Sequence, residues 1–326
     1  MLALGGYLYE LLMRVYITWK YPPPGSSVDI GGYKLHLHST GEGDPTVILE
    51  DGLTFAGSLA WSQVQMEVAK FTQVCSYDRA GILWSEPSPH PRQAKQIAVE
   101  LHTALKNAQI TPPYILVGLS GGGIYSRLFA DLYPDKVVGM VLVDASHPEQ
   151  EERFPPYPVK AFPAGRLGAR LINLLANTGM LRLLQFWFDP MPKTVPSQVK
   201  QISTGFVPQS AATLLQEMQS LAVNLHQAKQ TQPLGDKPLV VLTSSRETDV
   251  DDLPPGWTVE YMRQRDTVWQ ALQAELAELS TNSVQLTSEQ SGPLMYYDQP
   301  ALVVNAIRQV VDAVRIAKPI STFAQP

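Results

Sequence analysis

The segment from Tyr114 to Arg127 constrains the fold of this chain more than any other. It reads Tyr-Ile-Leu-Val-Gly-Leu-Ser-Gly-Gly-Gly-Ile-Tyr-Ser-Arg, which predicts a buried strand, a sharp turn and a helix. The turn, Gly118-Leu-Ser-Gly-Gly122, matches the pattern G-x-S-x-G. That pattern places a serine on a strained strand-to-helix turn, where its hydroxyl stands free above a sheet. Ser120 is therefore the first candidate for a nucleophile.

The same letters could also come from a glycine-rich turn in another protein with a parallel sheet. Glycine suits such a turn because it adopts unusual backbone angles and lets a strand and a helix pack closely. The apolar run before Gly118 and the helical pattern after Gly122 favour the interpretation of Ser120 as a nucleophile. A strand before the turn and a helix after it are the context that this mechanism requires.

Strands and helices alternate on both sides of this segment. Strands are predicted at 28–30 and 33–38, as a hairpin around two glycines, and at 46–50, 72–77, 114–117, 137–143, 238–243 and 283–287. Helices are predicted at 58–70, 93–108, 123–133, 260–279 and 301–317. The alternation predicts an α/β fold, with a mostly parallel, eight-stranded-type sheet flanked by helices. Ligands bind such sheets at the carboxyl ends of the strands, where Leu53, Ser120, Asp144 and His147 are expected.

The alternation divides the chain into a core and an insertion. The core is predicted at 26–147 and 236–317, with a tail at 318–326. Residues 148–235 are first rich in proline and then apolar, and they predict a helical cap with helices at 167–175, 180–188 and 210–229. An apolar cap over the site implies an apolar substrate. The alternative is that its aromatic residues, such as Phe186-Trp-Phe188, only fasten the cap to the core.

Residues 1–25 predict an amphipathic helix followed by a proline-rich linker. Apolar side chains fall near one helical face, namely Leu4, Leu8, Leu11, Leu12, Val15 and Trp19. Glu10 and Arg14 interrupt the segment, which is too short and too charged to predict a membrane span. Two readings stay open: peripheral membrane contact through residues 1–20, or packing of this helix on the protein itself. The location is accordingly open between cytoplasmic and membrane-associated.

Composition excludes several classes of function. The net charge is −5 and the 25 basic residues form no long run, so no nucleic-acid partner is expected. Cys75 is the one cysteine, so no intrachain disulfide can form. The six histidines show no metal-type clustering. The glycines fit neither G-x-G-x-x-G nor a P-loop, and we expect no cofactor.

Five motifs make the chain similar to the α/β-hydrolase superfamily of serine esterases, lipases and related enzymes. The resemblance covers about residues 26–317. The motifs are Leu49-Glu-Asp-Gly52, Tyr77-Asp-Arg-Ala-Gly81, Gly118-Leu-Ser-Gly-Gly122, Leu142-Val-Asp-Ala-Ser-His147 and Ser291-Gly-Pro-Leu-Met-Tyr-Tyr-Asp-Gln-Pro300.

The resemblance implies a role for each matching position. Ser120 would attack an ester carbonyl, and the backbone N–H of Gly121 would supply half of the oxyanion hole. Relatives usually carry His-Gly after the strand ending at Glu50, where this chain has Asp51-Gly52. The N–H of Leu53 would be the second oxyanion donor.

Two positions depart from the family pattern. The catalytic histidine of relatives follows the last strand in a Ser-Gly-His segment, but here Pro293 stands in its place and no histidine follows His226. The usual acid position, after strand 238–243, falls near Arg246, with Glu247 adjacent. Asp144 is the better candidate acid, although it could equally be a structural cap of its strand. His147 is either a substitute base or a residue packed in the hinge of the cap.

Two function classes remain. In the first, the chain is a serine hydrolase that acts on a small or medium apolar ester through Ser120 and is impaired because Pro293 replaces the base. In the second, it is a catalytically silent relative whose pocket binds a small apolar ligand or a partner protein. A fold alone does not choose between these classes.

Overall fold

The computed structural model describes residues 2–158, 166–184, 194–247, 253 and 256–320. Its strands are β1 Ser26–Asp29, β2 Lys34–Thr40, β3 Thr46–Glu50, β4 Val74–Tyr77, β5 Tyr114–Leu119, β6 Val137–Val143, β7 Leu239–Ser244 and β8 Ser283–Ser288. They form an eight-stranded sheet in the order β1-β2-β4-β3-β5-β6-β7-β8. The first hairpin is antiparallel and β2 pairs antiparallel with β4. All pairs from β4 to β8 are parallel, which confirms the predicted α/β fold with a mostly parallel sheet.

Twelve α-helices are found in the part of the chain that the structure describes. They are α1 Leu2–Lys20, α2 Ser62–Val68, α3 Ala94–Asn107, α4 Gly121–Leu132, α5 Gln150–Arg153, α6 Arg166–Asn177, α7 Met180–Leu184, α8 Ser197–Gln219, α9 Leu221–Lys229, α10 Val259–Ala277, α11 Met295–Asp298 and α12 Pro300–Ile316. Short 3₁₀ helices lie at Gly57–Trp61 and Pro134–Lys136.

Two apolar clusters bury the two faces of the sheet. On one face, side chains of α3, α4 and α9 pack on the sheet, as Leu101, Phe129 and Leu225 do. On the other face, α2 and α12 contribute Val64 and Ile307 among others. Strands β3, β5, β6 and β7 contribute side chains to both clusters, which is why they read as continuous apolar runs rather than alternating ones.

The helices between β6 and β7 depart most from the sequence prediction. The expected helix 210–229 is two helices, α8 and α9, which meet at Ser220. Helix α8 also begins 13 residues earlier than expected and contains Pro208. Buried packing offsets the loss that proline causes, since Phe206 is fully buried and its ring meets that of Trp84 edge-on at 5.3 Å. We call residues 148–235 the insertion, and their action as a cap stays a prediction. Phe186-Trp-Phe188 and the end of the predicted helix 180–188 lie outside the described residues.

Helix α1 lies against the insertion, but not through its apolar stripe. Its contacts with α6, α7, α8 and the Thr178 turn run through Arg14, Glu10, Ile17 and Gly6, respectively. The stripe of leucines with Val15 and Trp19 is exposed instead. Of the helices that the structure describes, none has the length and apolarity that a membrane crossing requires.

Candidate active site

Ser120 sits at the junction of β5 and α4 with a backbone conformation that side chains rarely adopt. Its φ is 49° and its ψ is −122°. Such a residue costs on the order of 1–3 kcal/mol and persists only where its surroundings hold it. Here the N–H of Ser120 donates to the carbonyl of Val143 at 3.1 Å, and its own carbonyl accepts from Gly123 and Ser146 at 3.0 and 2.9 Å. The structure thus gives Ser120 the geometry of the predicted nucleophile turn.

Close backbone approach explains two of the glycines around Ser120. A Cβ on Gly118 would lie 2.7 Å from the carbonyl oxygen of Gly122, inside the turn itself. A Cβ on Gly122 would lie 2.4 Å from the carbonyl oxygen of Glu50, at the end of β3. Both separations are shorter than real Cβ contacts, so any side chain at either position would push the turn away from the sheet.

The loop after β3 packs directly on this turn. A Cβ on Gly52 would lie 3.1 Å from Cβ of Ser120, and a Cβ on Gly121 would lie 3.9 Å from the backbone nitrogen of Leu53. The two predicted oxyanion donors, the N–H groups of Leu53 and Gly121, therefore belong to neighbouring segments beside the serine. Their action on a substrate oxygen stays a prediction.

Arg79 holds this loop in place, and sequence reasoning did not anticipate its role. Its Nη1 donates to the carbonyl of Asp51 at 2.6 Å, and its Nη2 donates to the carbonyl of Gly52 at 2.7 Å. Three further bonds go to carboxylates, one to Glu50 and two to Glu217 of α8, at 2.9–3.0 Å. The signal in the sequence was an arginine directly after a buried strand, in Tyr77-Asp-Arg-Ala-Gly81, but nothing there identified its partners.

The carboxyl groups beneath this loop are buried and electrostatically perturbed. Burial raises the pKa of Glu50 to about 7, although the charge of Arg79 opposes the shift. Burial likewise raises the pKa of Asp51 to about 6, and a hydrogen bond from the Thr54 hydroxyl at 2.5 Å opposes it. Tyr77 also donates to Glu50. The loop that carries one predicted oxyanion donor, the N–H of Leu53, thus packs on a network of buried charged groups.

A cavity of about 500 Å³ opens at Ser120. Its lining is Ser120, Asp144, Ser244, Ser245, Arg246, Glu247, Met262, Arg263, Arg265, Asp266, Thr267, Trp269, Gln270 and Pro293. The fold therefore brings together the predicted nucleophile, the candidate acid and the position where relatives carry histidine. Eleven of these described lining residues have polar or charged side chains, and none is a histidine. Residues 248–252 and 254–255, in the segment after β7, lie outside the described residues.

Asp144 follows β6 with a positive φ of 43° and is almost fully buried. Its Oδ1 accepts from the backbone N–H of Ser244 at 3.0 Å and from Nε1 of Trp269 at 2.8 Å. Burial raises the pKa of Asp144, and these hydrogen bonds oppose the shift because they favour the charged carboxylate. Asp144 is thus a strand-end residue with local donors that also faces the cavity.

His147 lies close to Asp144 along the chain but engages other groups. Its Nδ1 accepts from the backbone N–H of Glu149 at 3.1 Å, and its Nε2 lies 3.7 Å from Oε2 of Glu275. Burial lowers the pKa of His147 to about 4, so the ring is neutral near pH 7. His147 is absent from the described lining of the cavity at Ser120, and its role as a base stays a prediction.

The segment after β8 places Pro293 at the cavity wall. The backbone N–H of Gly292 donates to Oδ2 of Asp298 at 2.8 Å, and Nη2 of Arg246 lies 3.2 Å from the same oxygen. These bonds tie the segment to the loop after β7.

Among the described residues, no group of three or more histidine, cysteine or acidic side chains is placed to hold a metal ion.

Comparison with known proteins places this geometry in a family. Residues 36–306 match the family described as the alpha/beta hydrolase family. The chain is 26% identical over 282 residues to the uncharacterized protein YqjL of Bacillus subtilis, covering 86% of this chain and 89% of that protein. It is 25% identical over 323 residues to a probable transporter, efuK, of Hormonema carpetanum, covering 91% of this chain and 44% of that protein. The chain thus spans less than half the length of the second relative.

Among solved structures, a thermophilic esterase from Thermogutta terrifontis has a similar fold. The two superpose with a TM-score of 0.59 at 19% sequence identity, covering 89% of this chain and 98% of the esterase. At that identity the likeness establishes the fold alone.

Proposed function

The chain belongs to the alpha/beta hydrolase family, and we propose that it is a carboxylic-ester hydrolase in which Ser120 is the nucleophile. One observation carries the proposal: Ser120 keeps the strained backbone conformation of a nucleophile, at φ 49° and ψ −122°, at the mouth of a cavity. Glycine would take the same conformation with less strain, so a serine held there supports a function for its hydroxyl.

The reaction proceeds through an acyl-enzyme. Oγ of Ser120 attacks the ester carbonyl and loses its proton to water, because no histidine is available in the described lining. The oxygen of the tetrahedral intermediate is held by the N–H groups of Leu53 and Gly121. Expulsion of the alcohol leaves the acyl-enzyme, and attack by water releases the acid and restores the serine. A positioned base contributes about 10²–10⁴-fold, so turnover is reduced by a factor of that order.

The substrate is a small or medium ester. A cavity of about 500 Å³ accepts a molecule of that size. Met262, Trp269 and Pro293 offer apolar wall for the apolar part that the insertion led us to expect.

The test is labelling with a fluorophosphonate, located by peptide mass spectrometry between pH 5 and pH 9. Labelling of Ser120 in the parent chain, and its loss in Ser120→Ala, supports the proposal. Ser245→Ala is the matched control, because Ser245 lines the same cavity but is not at the strained turn. If His147→Ala abolishes labelling, His147 is the base. Labelling that Ser120→Ala leaves unchanged would refute the role of Ser120.

A catalytically silent protein that binds a small apolar ligand or a partner protein is the second candidate. The observation that favours it is Pro293, which stands at the cavity wall where relatives carry histidine. Labelling of the parent and of Pro293→His distinguishes the two candidate functions. Silence of the parent together with labelling of Pro293→His supports the binding function, and a thermal shift with a non-hydrolysable apolar ketone then measures binding.

A further inference from the structure

Helix α1 exposes its apolar face to solvent, which is the reverse of an ordinary surface helix. An amphipathic helix normally buries its apolar stripe against the protein. In α1 the stripe is exposed, with 71% of Leu12, 71% of Val15 and 77% of Trp19 accessible to solvent. Leu4 and Leu8 belong to the same stripe and are also exposed. The apolar face of α1 is therefore available to a partner.

Specific polar contacts fix this orientation. Glu10, on the opposite side of α1, is 1% exposed and accepts from Nε and Nη2 of Arg182 in α7, both at 3.0 Å. Arg14 donates to Oδ1 of Asn177 at 3.1 Å. A Cβ on Gly6 would lie 2.4 Å from the carbonyl oxygen of Thr178, so the two segments meet at backbone distance. Rotating α1 to bury its stripe would break all of these contacts.

The neighbouring helices extend the exposed apolar area. Leu171 and Leu174 of α6, and Met180, Leu183 and Leu184 of α7, are exposed beside the segment that contacts α1. Together with the stripe of α1 these side chains form what we call the apolar platform. Exposed apolar side chains concentrated on adjacent helices are typical of a site of protein or membrane interaction.

The exposed charges on the helices of the platform are of one sign, although the chain as a whole carries −5. Residues 2–20 and 166–184 contain a single acidic residue, Glu10, which is buried and paired with Arg182. Lys20 and Arg170 are exposed, and Arg14 is partly so. A patch of exposed cations on an acidic protein is complementary to a negatively charged surface.

We propose that the apolar platform docks on an anionic lipid bilayer, with α1 lying in the plane of the membrane surface. Leucine and valine enter the boundary of the acyl chains, while Tyr7, Tyr16 and Trp19 lie at headgroup level and Lys20 and Arg170 meet lipid phosphate. A second copy of the chain fits less well, because a symmetric pair would bring equal cations together with no exposed carboxylate on these helices. The docking does not depend on the esterase activity.

The test is flotation of the full chain with vesicles of phosphatidylcholine, with and without about one-third phosphatidylglycerol. We expect the parent to float with the anionic vesicles. Leu12→Glu/Val15→Glu should lower the partition coefficient at least about tenfold, because it places two charges in the acyl boundary. Lys20→Glu/Arg170→Glu should remove the preference for anionic lipid, and added salt should have the same effect on the parent.

The matched control is Met66→Glu, which changes another exposed apolar side chain, on α2 and away from the platform. It should float like the parent, and melting curves should show that all variants are folded. Absence of flotation by the parent, or equal flotation of the parent and Leu12→Glu/Val15→Glu, would overturn the proposal. Sedimentation velocity without lipid tests whether a second copy of the chain occupies the platform. A dimer that Leu12→Glu/Val15→Glu converts to monomer would assign the platform to that second copy and would also overturn the proposal of membrane docking.

Discussion

The oxyanion side and the base side of the candidate site differ in how they are built. On the oxyanion side, the turn at Ser120 and the loop at Leu53 are held by backbone contacts and by the buried guanidinium of Arg79. On the base side, Asp298 and Arg246 also order the segment around Pro293, yet the side chain of Pro293 itself has no atom that accepts a proton. In the mechanism that we propose, the two oxyanion donors are therefore in place and the base at position 293 is missing.

The difference shows that the two halves depend on different parts of the sequence. Oxyanion stabilisation comes from backbone N–H groups, so it is a property of the fold and its glycines. Proton transfer comes from one side chain, so one substitution removes it without disturbing the fold. The variants below test each half in turn, beginning with the largest expected effect.

Restoring a base should have the largest effect. Pro293→His is expected to raise the rate of ester hydrolysis or of fluorophosphonate labelling by about 10²–10⁴-fold. The reason is that a base would then lie in the wall of the cavity that Ser120 also lines. Initial rates of hydrolysis of a p-nitrophenyl ester measure this gain. Pro293→Ala controls for removal of the proline ring, and Ser120→Ala/Pro293→His must lose the gain. A gain that survives the loss of Ser120 would contradict the role of Ser120 as the nucleophile.

Removing Arg79 should cost stability on the side that is intact. Arg79→Met leaves Glu50 and Glu217 buried without their cation, and we expect the free energy of unfolding to fall by about 3–5 kcal/mol. Urea denaturation measures it. The matched control is Arg315→Met, because Arg315 also donates to two carbonyls but is exposed, and its loss should cost about 1 kcal/mol or less. Equal losses in the two variants would show that the buried network does not hold the loop.

The buried network should also make stability depend on pH. The pKa of Glu50 is about 7 in the folded protein against 4.5 for the ordinary group, so the folded state keeps a proton that the unfolded state has lost between those values. The free energy of unfolding should therefore fall as the pH rises from 4.5 to 7, by up to about 3 kcal/mol. Glu50→Gln should flatten this slope in denaturation series between pH 5 and 8. Asp51 titrates both in the parent and in Glu50→Gln. An unchanged slope would therefore exclude Glu50 as the source of the pH dependence.

The smallest effect is expected on the side of Asp144. Trp269→Phe removes the Nε1 donor to Asp144 and should lower the free energy of unfolding by about 1–2 kcal/mol. Trp84→Phe is the matched control, since Nε1 of Trp84 donates to the uncharged carbonyl of Tyr21 at 2.9 Å. A smaller loss for Trp84→Phe, by thermal melting, would support a charged Asp144 in the folded protein. The reverse order would argue for a protonated Asp144.

Local patterns predicted much of this molecule because their contacts are local. The turn at Ser120, the hairpin of β1 and β2 and the order of strands along the chain all follow from segments of ten to thirty residues. The partners of Arg79 could not be predicted, because Glu217 lies 138 residues away in a helix whose start the pattern missed. The apolar face of α1 was predicted correctly, but not its outward direction, since Arg182 lies 172 residues from Glu10.

That last contact has a consequence for anyone who shortens the chain. Glu10 of α1 is the carboxylate that neutralises Arg182 of α7. A protein that starts after residue 21 would lose this carboxylate, while the carbonyl of Gly205 would still accept from the guanidinium of Arg182. Trimming for solubility would then destabilise α7 and α8, and the melting temperature of such a protein should fall even though no residue of the sheet has been touched.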